Sequence, residues 1–219
     1  MTLCWILVIF TTICIIGLLY FWIQRNSDDC IVIRRIQTTD GVIEIVNDMC
    51  KEGLPHTTGP NTIRMTERAY ATEAKHNTLT HERIHLDQKR RPEAWSEFYK
   101  RHWNYRLHLT PPATIPAELV ARRRPNPDTD AAPWAVWRDR YVFFPVYADM
   151  CTPSLKQAEV IVWDTKLRRR VAIPSEWRDE FCISNTCPNQ YEHPHELAAE
   201  YIALKSDTPA AHKLFTWYH

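Results

Sequence analysis

The run His81-Glu82-Arg83-Ile84-His85 has the residue types and spacing of a catalytic metal site. Residues four apart share one helix face, so the two imidazoles can reach the same ion. Imidazole nitrogen is a standard zinc ligand. Glu82 follows His81 by about 100° round a helix, so it can face a water beside the ion without ligating it. A carboxylate placed there is a general base for a water attacking a carbonyl. The bland alternative is a polar helix face that carries two surface histidines. The flanking residues lack Pro and Gly, read as helix and follow an expected strand, all of which favours the metal site.

A catalytic zinc needs a third protein ligand and an open fourth position. A metzincin arrangement would require a glycine and a third histidine where this chain has Gln88 and Arg91. Asp87, two residues after His85, points about 200° away round the helix. The remaining candidate is the segment Tyr191-Glu192-His193-Pro194-His195-Glu196-Leu197-Ala198-Ala199-Glu200. Glu196 and Glu200 are four apart on a helix expected to start at Pro194. One of them can ligate while the other orients a ligand histidine; the alternative is a solvated acidic face.

The run Thr78-Leu79-Thr80-His81-Glu82-Arg83-Ile84-His85, followed by Glu196-Leu197-Ala198-Ala199-Glu200, resembles the gluzincin zinc metallopeptidases. The likeness is greatest to their lethal-factor-like branch, in which H-E-x-x-H precedes E-x-x-A-E. The resemblance implies a zincin-like domain, Zn2+ as cofactor and a protein or peptide as substrate. It implies His81, His85 and Glu196 as ligands, Glu82 as general base and Glu200 behind a ligand. It also implies a tyrosine shortly before the ligand glutamate, stabilising the oxyanion. Tyr191 is the nearest match, and His193 and His195 are the alternatives for that role. About 110 residues separate His85 from Glu196, so an insertion is expected around Arg122–Ile173. Gly53 to Gln88 further resembles uncharacterised proteins of large DNA viruses.

The elements that must position these residues are legible to different degrees. Ile31–Ile36 and Thr62–Thr66 read as strands, and Asp40 to about Glu52 as a helix with Val42, Ile45, Val46 and Met49 on one face. A helix is expected over Glu73–Arg90 and another from Pro92 to about Leu107, burying Trp95, Phe98, Tyr99 and Trp103. Arg122–Pro133 reads as a surface loop, Trp134–Tyr147 as β-prone, and Glu159–Ile173 as a hairpin. If Thr62–Thr66 is an edge strand, an extended substrate can pair with it. The expected class is α+β: a single N-terminal transmembrane helix in residues 1–24, then one zincin-like domain over 25–219.

That helix is expected because Leu3–Ile23 is an uncharged run of 21 residues, about 31 Å as a helix and enough to span a bilayer core. Arg25, Arg34 and Arg35 follow it, which places the domain on the cytoplasmic side of a cellular or viral membrane. Five cysteines lie beyond the run, and Cys151, Cys182 and Cys187 are expected as buried thiols. Lys+Arg total 27 and Asp+Glu 26, a balance that argues against a general nucleic-acid binder. There are only four glycines, none after Gly59, which excludes a P-loop, a dinucleotide fingerprint and a nucleophile elbow. Oligomeric state leaves no mark. Two functions remain: a membrane-anchored zinc metallopeptidase, or a non-catalytic membrane-anchored structural or interaction protein with a vestigial motif.

Overall fold

The computed structural model describes residues 30–151, 153–184 and 186–219. Their first sheet grows from β-branched runs. β1 (Val32–Thr38), β2 (Gly41–Val46), β3 (His56–Thr58) and β4 (Thr62–Thr66) hydrogen-bond in the order β1-β2-β4-β3. β1 and β2 form an antiparallel hairpin, β2 runs parallel to β4, and β3 returns antiparallel on β4. Ile43, Ile45, Ile63 and Met65 form its buried cluster.

The expected helix from Asp40 is instead the strand Gly41–Val46, followed by a turn and a single 3-10 turn at Cys50–Gly53. Val42, Ile43, Ile45 and Val46 are β-branched, and their ladder with Thr62–Thr66 overrides the helical spacing of the apolar residues. Gly41 starts the strand at φ +147, where a Cβ would lie 2.1 Å from the Asn61 carbonyl oxygen, a conformation only glycine holds without strain.

α1 (Glu67–Ala71) is a short turn capped by the Thr66 hydroxyl, and α2 (Lys75–Arg90) carries the histidine motif. Three sides of α2 are used. Leu79 and Leu86 pack on the first sheet, Ile84 enters an aromatic core, and His81, Glu82 and His85 line a cavity. Pro92 opens α3 (Pro92–His102), at a position where its missing N–H is not needed. Asn104 then takes φ +57, and Tyr105–His108 pairs as a strand with Trp134–Trp137. That pairing ends the helix before the expected Leu107.

The second sheet is an antiparallel meander of β5 (Tyr105–His108), β6 (Trp134–Trp137), β7 (Tyr141–Tyr147), β8 (Ala158–Asp164) and β9 (Arg169–Val171). Its side chains alternate between two apolar clusters, as strand geometry requires. Phe143 and Val162 join the aromatic core with α3, α5 (Ser175–Phe181), α6 (Pro194–Leu204) and α7 (Pro209–Tyr218). Val142, Phe144, Ile161 and Trp163 face the other way, toward Ile115 and Leu119 of α4 (Ala117–Ala121) and the turn before it. The architecture is α+β. The segment Arg122–Ile173, expected as an insertion, supplies β6 to β9.

The transmembrane expectation requires correction. No helix among the described residues is long and apolar enough to cross a membrane, and residues 1–24, where the span was expected, lie outside those described. The single-pass placement in a cellular or viral membrane, with its cytoplasmic domain, is withdrawn with it. Cysteine pairing also departs from expectation. Cys30–Cys50 and Cys182–Cys187 are disulfides, and Cys151 is an exposed free thiol.

Candidate metal centre

α2 packs against α6, and that contact assembles the site. His81 Nε2 is 3.1 Å from Glu196 Oε2, although 115 residues separate them in the chain. His85 Nε2 is 3.0 Å from His81 Nε2 and 3.4 Å from the same Glu196 oxygen. Donors held 2.0–2.1 Å from a tetrahedral ion stand about 3.3–3.4 Å apart. Two imidazole nitrogens and one carboxylate oxygen therefore converge at the spacing of a zinc ligand set.

The neighbours fix how these donors point. His85 Nδ1 is 2.7 Å from Gln88 Oε1, while Gln88 Nε2 donates to the Tyr99 hydroxyl and to the His195 carbonyl, both at 3.0 Å. The His195 carbonyl can only accept, so the amide orientation of Gln88 is set. His85 must then donate from Nδ1, which turns Nε2 toward the cluster. Asn126 Nδ2 donates to Glu196 Oε1 at 2.8 Å, leaving Oε2 as the oxygen that faces the histidines.

The charged groups of the cluster shift one another. Burial alone would push the His85 pKa down, but the carboxylates of Glu196 and Asp128 outweigh it and hold it up to about 10. Burial would likewise raise Glu196, yet His85 and His81 keep its carboxyl well below the usual range. Where no metal is bound, a proton takes the place of positive charge among these donors. Glu82 behaves in the opposite way. Its carboxyl is pushed well above the ordinary value by burial first, then by Asp128 and Glu196. Its Oε2 is buried with no hydrogen-bond partner, an unusual condition for a native carboxylate outside a functional site.

A cavity of about 560 Å³ opens beside the three donors. Its wall includes Asn126, Pro127 and Asp128, from the stretch expected as a surface loop. Arg124, Asp128 and Thr129 of that stretch are buried. Asp128 accepts from the Thr57 amide at 3.0 Å and from the Thr57 hydroxyl, and Lys89 Nζ donates to Asp128 Oδ1 and the Thr57 carbonyl, each at 3.0 Å. This network changes the expected substrate edge. Thr62–Thr66 is an interior strand, and β1 and β3 are the edges, with β3 the one beside it. The amide and carbonyl of Thr57 on that edge are already bonded to Asp128 and Lys89.

The remaining expected site residues go elsewhere. Glu200 lines the cavity, but its two oxygens accept from the amides of Asn189 at 3.1 Å and Gln190 at 3.0 Å, so it secures the loop before α6 and orients no ligand histidine. Tyr191 packs against Phe143 and Trp177, with ring centroids at 6.3 and 5.8 Å, and does not line the cavity. His193 caps α6 by accepting from the His195 amide. His195 lies against the Asp128 carbonyl at 3.3 Å. Neither histidine lines the cavity. Gln88 and Asn126 were not anticipated as supports for the three donors. Gln88 had a signal, since it is three residues after His85 on one helix; Asn126 had none. The chain matches no family model, no curated protein and no solved structure.

Proposed function

We propose that this protein is a zinc-dependent metallopeptidase, hydrolysing peptide bonds with His81, His85 and Glu196 as ligands and Glu82 as general base. One observation carries the reading: three donors within 3.4 Å of one another stand beside a buried carboxylate whose Oε2 has no partner. The donor set fits zinc, because two imidazoles and a carboxylate leave the fourth position of a tetrahedron open to substrate. Zinc held there supplies Lewis acidity to a water and to the scissile carbonyl. Glu82 accepts the proton of the attacking water and returns it to the leaving amide nitrogen. Gln88 fixes the donor nitrogen of His85, and Asn126 fixes the donor oxygen of Glu196. With Thr57 already bonded, the substrate main chain lies in the cavity and does not add a strand at β3.

A catalytically silent metal-binding role is the second reading. It is favoured by the position of Tyr191, which leaves no tyrosine lining the cavity among the described residues. Glu82→Gln separates the two. The peptidase reading expects this variant to retain its zinc while hydrolysis of a mixed peptide library falls by about 100-fold or more. Wild-type turnover in Glu82→Gln would remove Glu82 from the mechanism. Zinc-loaded wild-type protein without turnover on any library member would favour the silent role.

A further inference from the structure

A second group of metal-binding side chains lies apart from the three donors of α2 and α6. Cys30, Cys50 and His56 each offer one donor atom, and these atoms all lie within 4.8 Å of one another. Cys30 and Cys50 form a disulfide, and Cys50 Sγ is 3.9 Å from His56 Nε2. We propose that Cys30, Cys50 and His56 form a second zinc-type site, present only when the Cys30–Cys50 disulfide is reduced.

The histidine is already set as a ligand. His56 Nδ1 is 3.1 Å from the Leu54 carbonyl oxygen, which can only accept, so Nδ1 carries the hydrogen. Nε2 therefore presents its lone pair toward the sulfur, the arrangement by which a backbone carbonyl orients a metal-bound histidine. Cys50 and His56 are 1% and 3% exposed, so these donors meet inside the protein and not on a mobile surface. Tetrahedral zinc with bonds of 2.3 Å to sulfur and 2.0–2.1 Å to nitrogen needs a sulfur–nitrogen spacing of about 3.5 Å and a sulfur–sulfur spacing of about 3.8 Å. The sulfur–nitrogen spacing of Cys50 is nearly in place at 3.9 Å, so reduction has to let the sulfurs separate and bring Cys30 Sγ to a like distance from the ring. Water fills the fourth position.

The chemical step balances with a dithiol as reductant. Its thiolate attacks Sγ of Cys30, the less buried of the two residues, and the electron pair of the broken bond leaves on Cys50 Sγ. The second thiol of the reductant then attacks the mixed disulfide, closing its own disulfide and releasing the Cys30 thiolate. Zinc binds both thiolates and His56 Nε2, and the two protons that would otherwise occupy the sulfurs go to solvent. His56 also lines the cavity of the first site and precedes Thr57 of the bonded edge. The redox state of the Cys30–Cys50 pair thus reaches the cavity wall through β3.

The test uses the full chain carrying His81→Ala and His85→Ala, which empties the first site and makes this inference independent of the peptidase reading. Zinc is added with or without a phosphine reductant, which reduces the disulfide and takes its oxygen from water, and bound metal is counted after desalting. The expected result is no bound zinc without reductant and about one per chain with it. Cobalt(II) substitution should then give a thiolate-to-metal charge-transfer band. Adding His56→Ala, or Cys30→Ser should the histidine variant fail to fold, should abolish both uptake and band. Reduction without zinc uptake would overturn the proposal. So would uptake that survives Cys30→Ser, which would assign the metal to other thiols.

Discussion

Two histidine pairs in this protein have nearly the same ring geometry and opposite chemistry. His81 and His85 have ring centroids 4.7 Å apart at 76°, and His193 and His195 have theirs 4.8 Å apart at 75°. In the first pair both Nε2 atoms turn toward each other and toward Glu196. In the second, His193 spends Nε2 on the Ala132 carbonyl and Nδ1 on the His195 amide, while His195 Nδ1 faces the Asp128 carbonyl. Charge follows the same division. Carboxylates hold His85 up to about 10, whereas burial and then the neighbouring His85 push His195 down to about 4. Proximity of imidazoles therefore does not make a metal site. What separates the pairs is that both Nε2 atoms of the first converge on one carboxylate oxygen, whereas His193 gives both ring nitrogens to the backbone.

The largest expected effect breaks the first pair. His85→Ala removes one of the three proposed ligands, and if each supplies about a third of the roughly 10–16 kcal/mol of a full site, zinc affinity falls by roughly 300- to 8000-fold. Competition with a chromophoric chelator would measure it, and an affinity within a few-fold of wild type would erase the distinction between the pairs. Gln88→Leu sharpens the comparison. It keeps every ligand but frees the His85 ring, so zinc should bind about 10–100-fold more weakly. An unchanged affinity would mean that the Gln88 contact is packing alone.

Breaking the second pair should do much less. His193→Ala loses a helix cap worth about 1 kcal/mol, which in a chain of this size lowers Tm by about 2–4 °C. Thermal melting with a zinc count on the same sample checks this, and loss of zinc would make the second pair part of the centre. Acidification gives the smallest effects. Because protons compete with the ion for His85, whose charged form the neighbouring carboxylates favour, zinc should be released as pH falls, and the occupancy profile should be absent in His85→Ala.

That titration needs a fold that survives it, and Asp164 sets part of the limit. Arg140 at 2.7 Å holds its carboxyl below the ordinary value of 3.8, against the opposing effect of burial, with help from the amides of Leu167 and Lys166. A depressed folded-state pKa gives stability that is present above 3.8 and is lost as pH falls through the lower folded value. Urea unfolding of Asp164→Asn should therefore differ from wild type at neutral pH and converge with it in strong acid.

How legible the site was depends on how local its parts are. His81, Glu82 and His85 lie on one helix, where spacing alone puts them on neighbouring faces, and Gln88 could have been added by the same rule. Glu196 was reached through a second motif, since no spacing rule links residues on different helices. Asn126 and Asp128 were invisible because they come from a Pro-rich stretch that reads as solvent-exposed, and only the tertiary fold carries it over the cavity. The same division holds for the fold. The helix of the motif and the hairpin of β8 and β9 follow from local pattern. β2 does not, because Val42, Ile45 and Val46 satisfy helical spacing as well as a strand, and the parallel partner that decides lies some twenty residues away in Thr62–Thr66. The half-buried packing of Tyr191 likewise depends on Phe143 and Trp177, which no motif connects to it.

The most direct measurement is the zinc content of the full chain purified without added metal, histidine tag or reductant, comparing wild type with His81→Ala and His195→Ala. About one zinc per chain is expected in the wild type and in His195→Ala, and essentially none in His81→Ala. A folded wild-type chain that takes up no zinc even when it is supplied, or a His81→Ala variant that keeps its metal, would contradict the account.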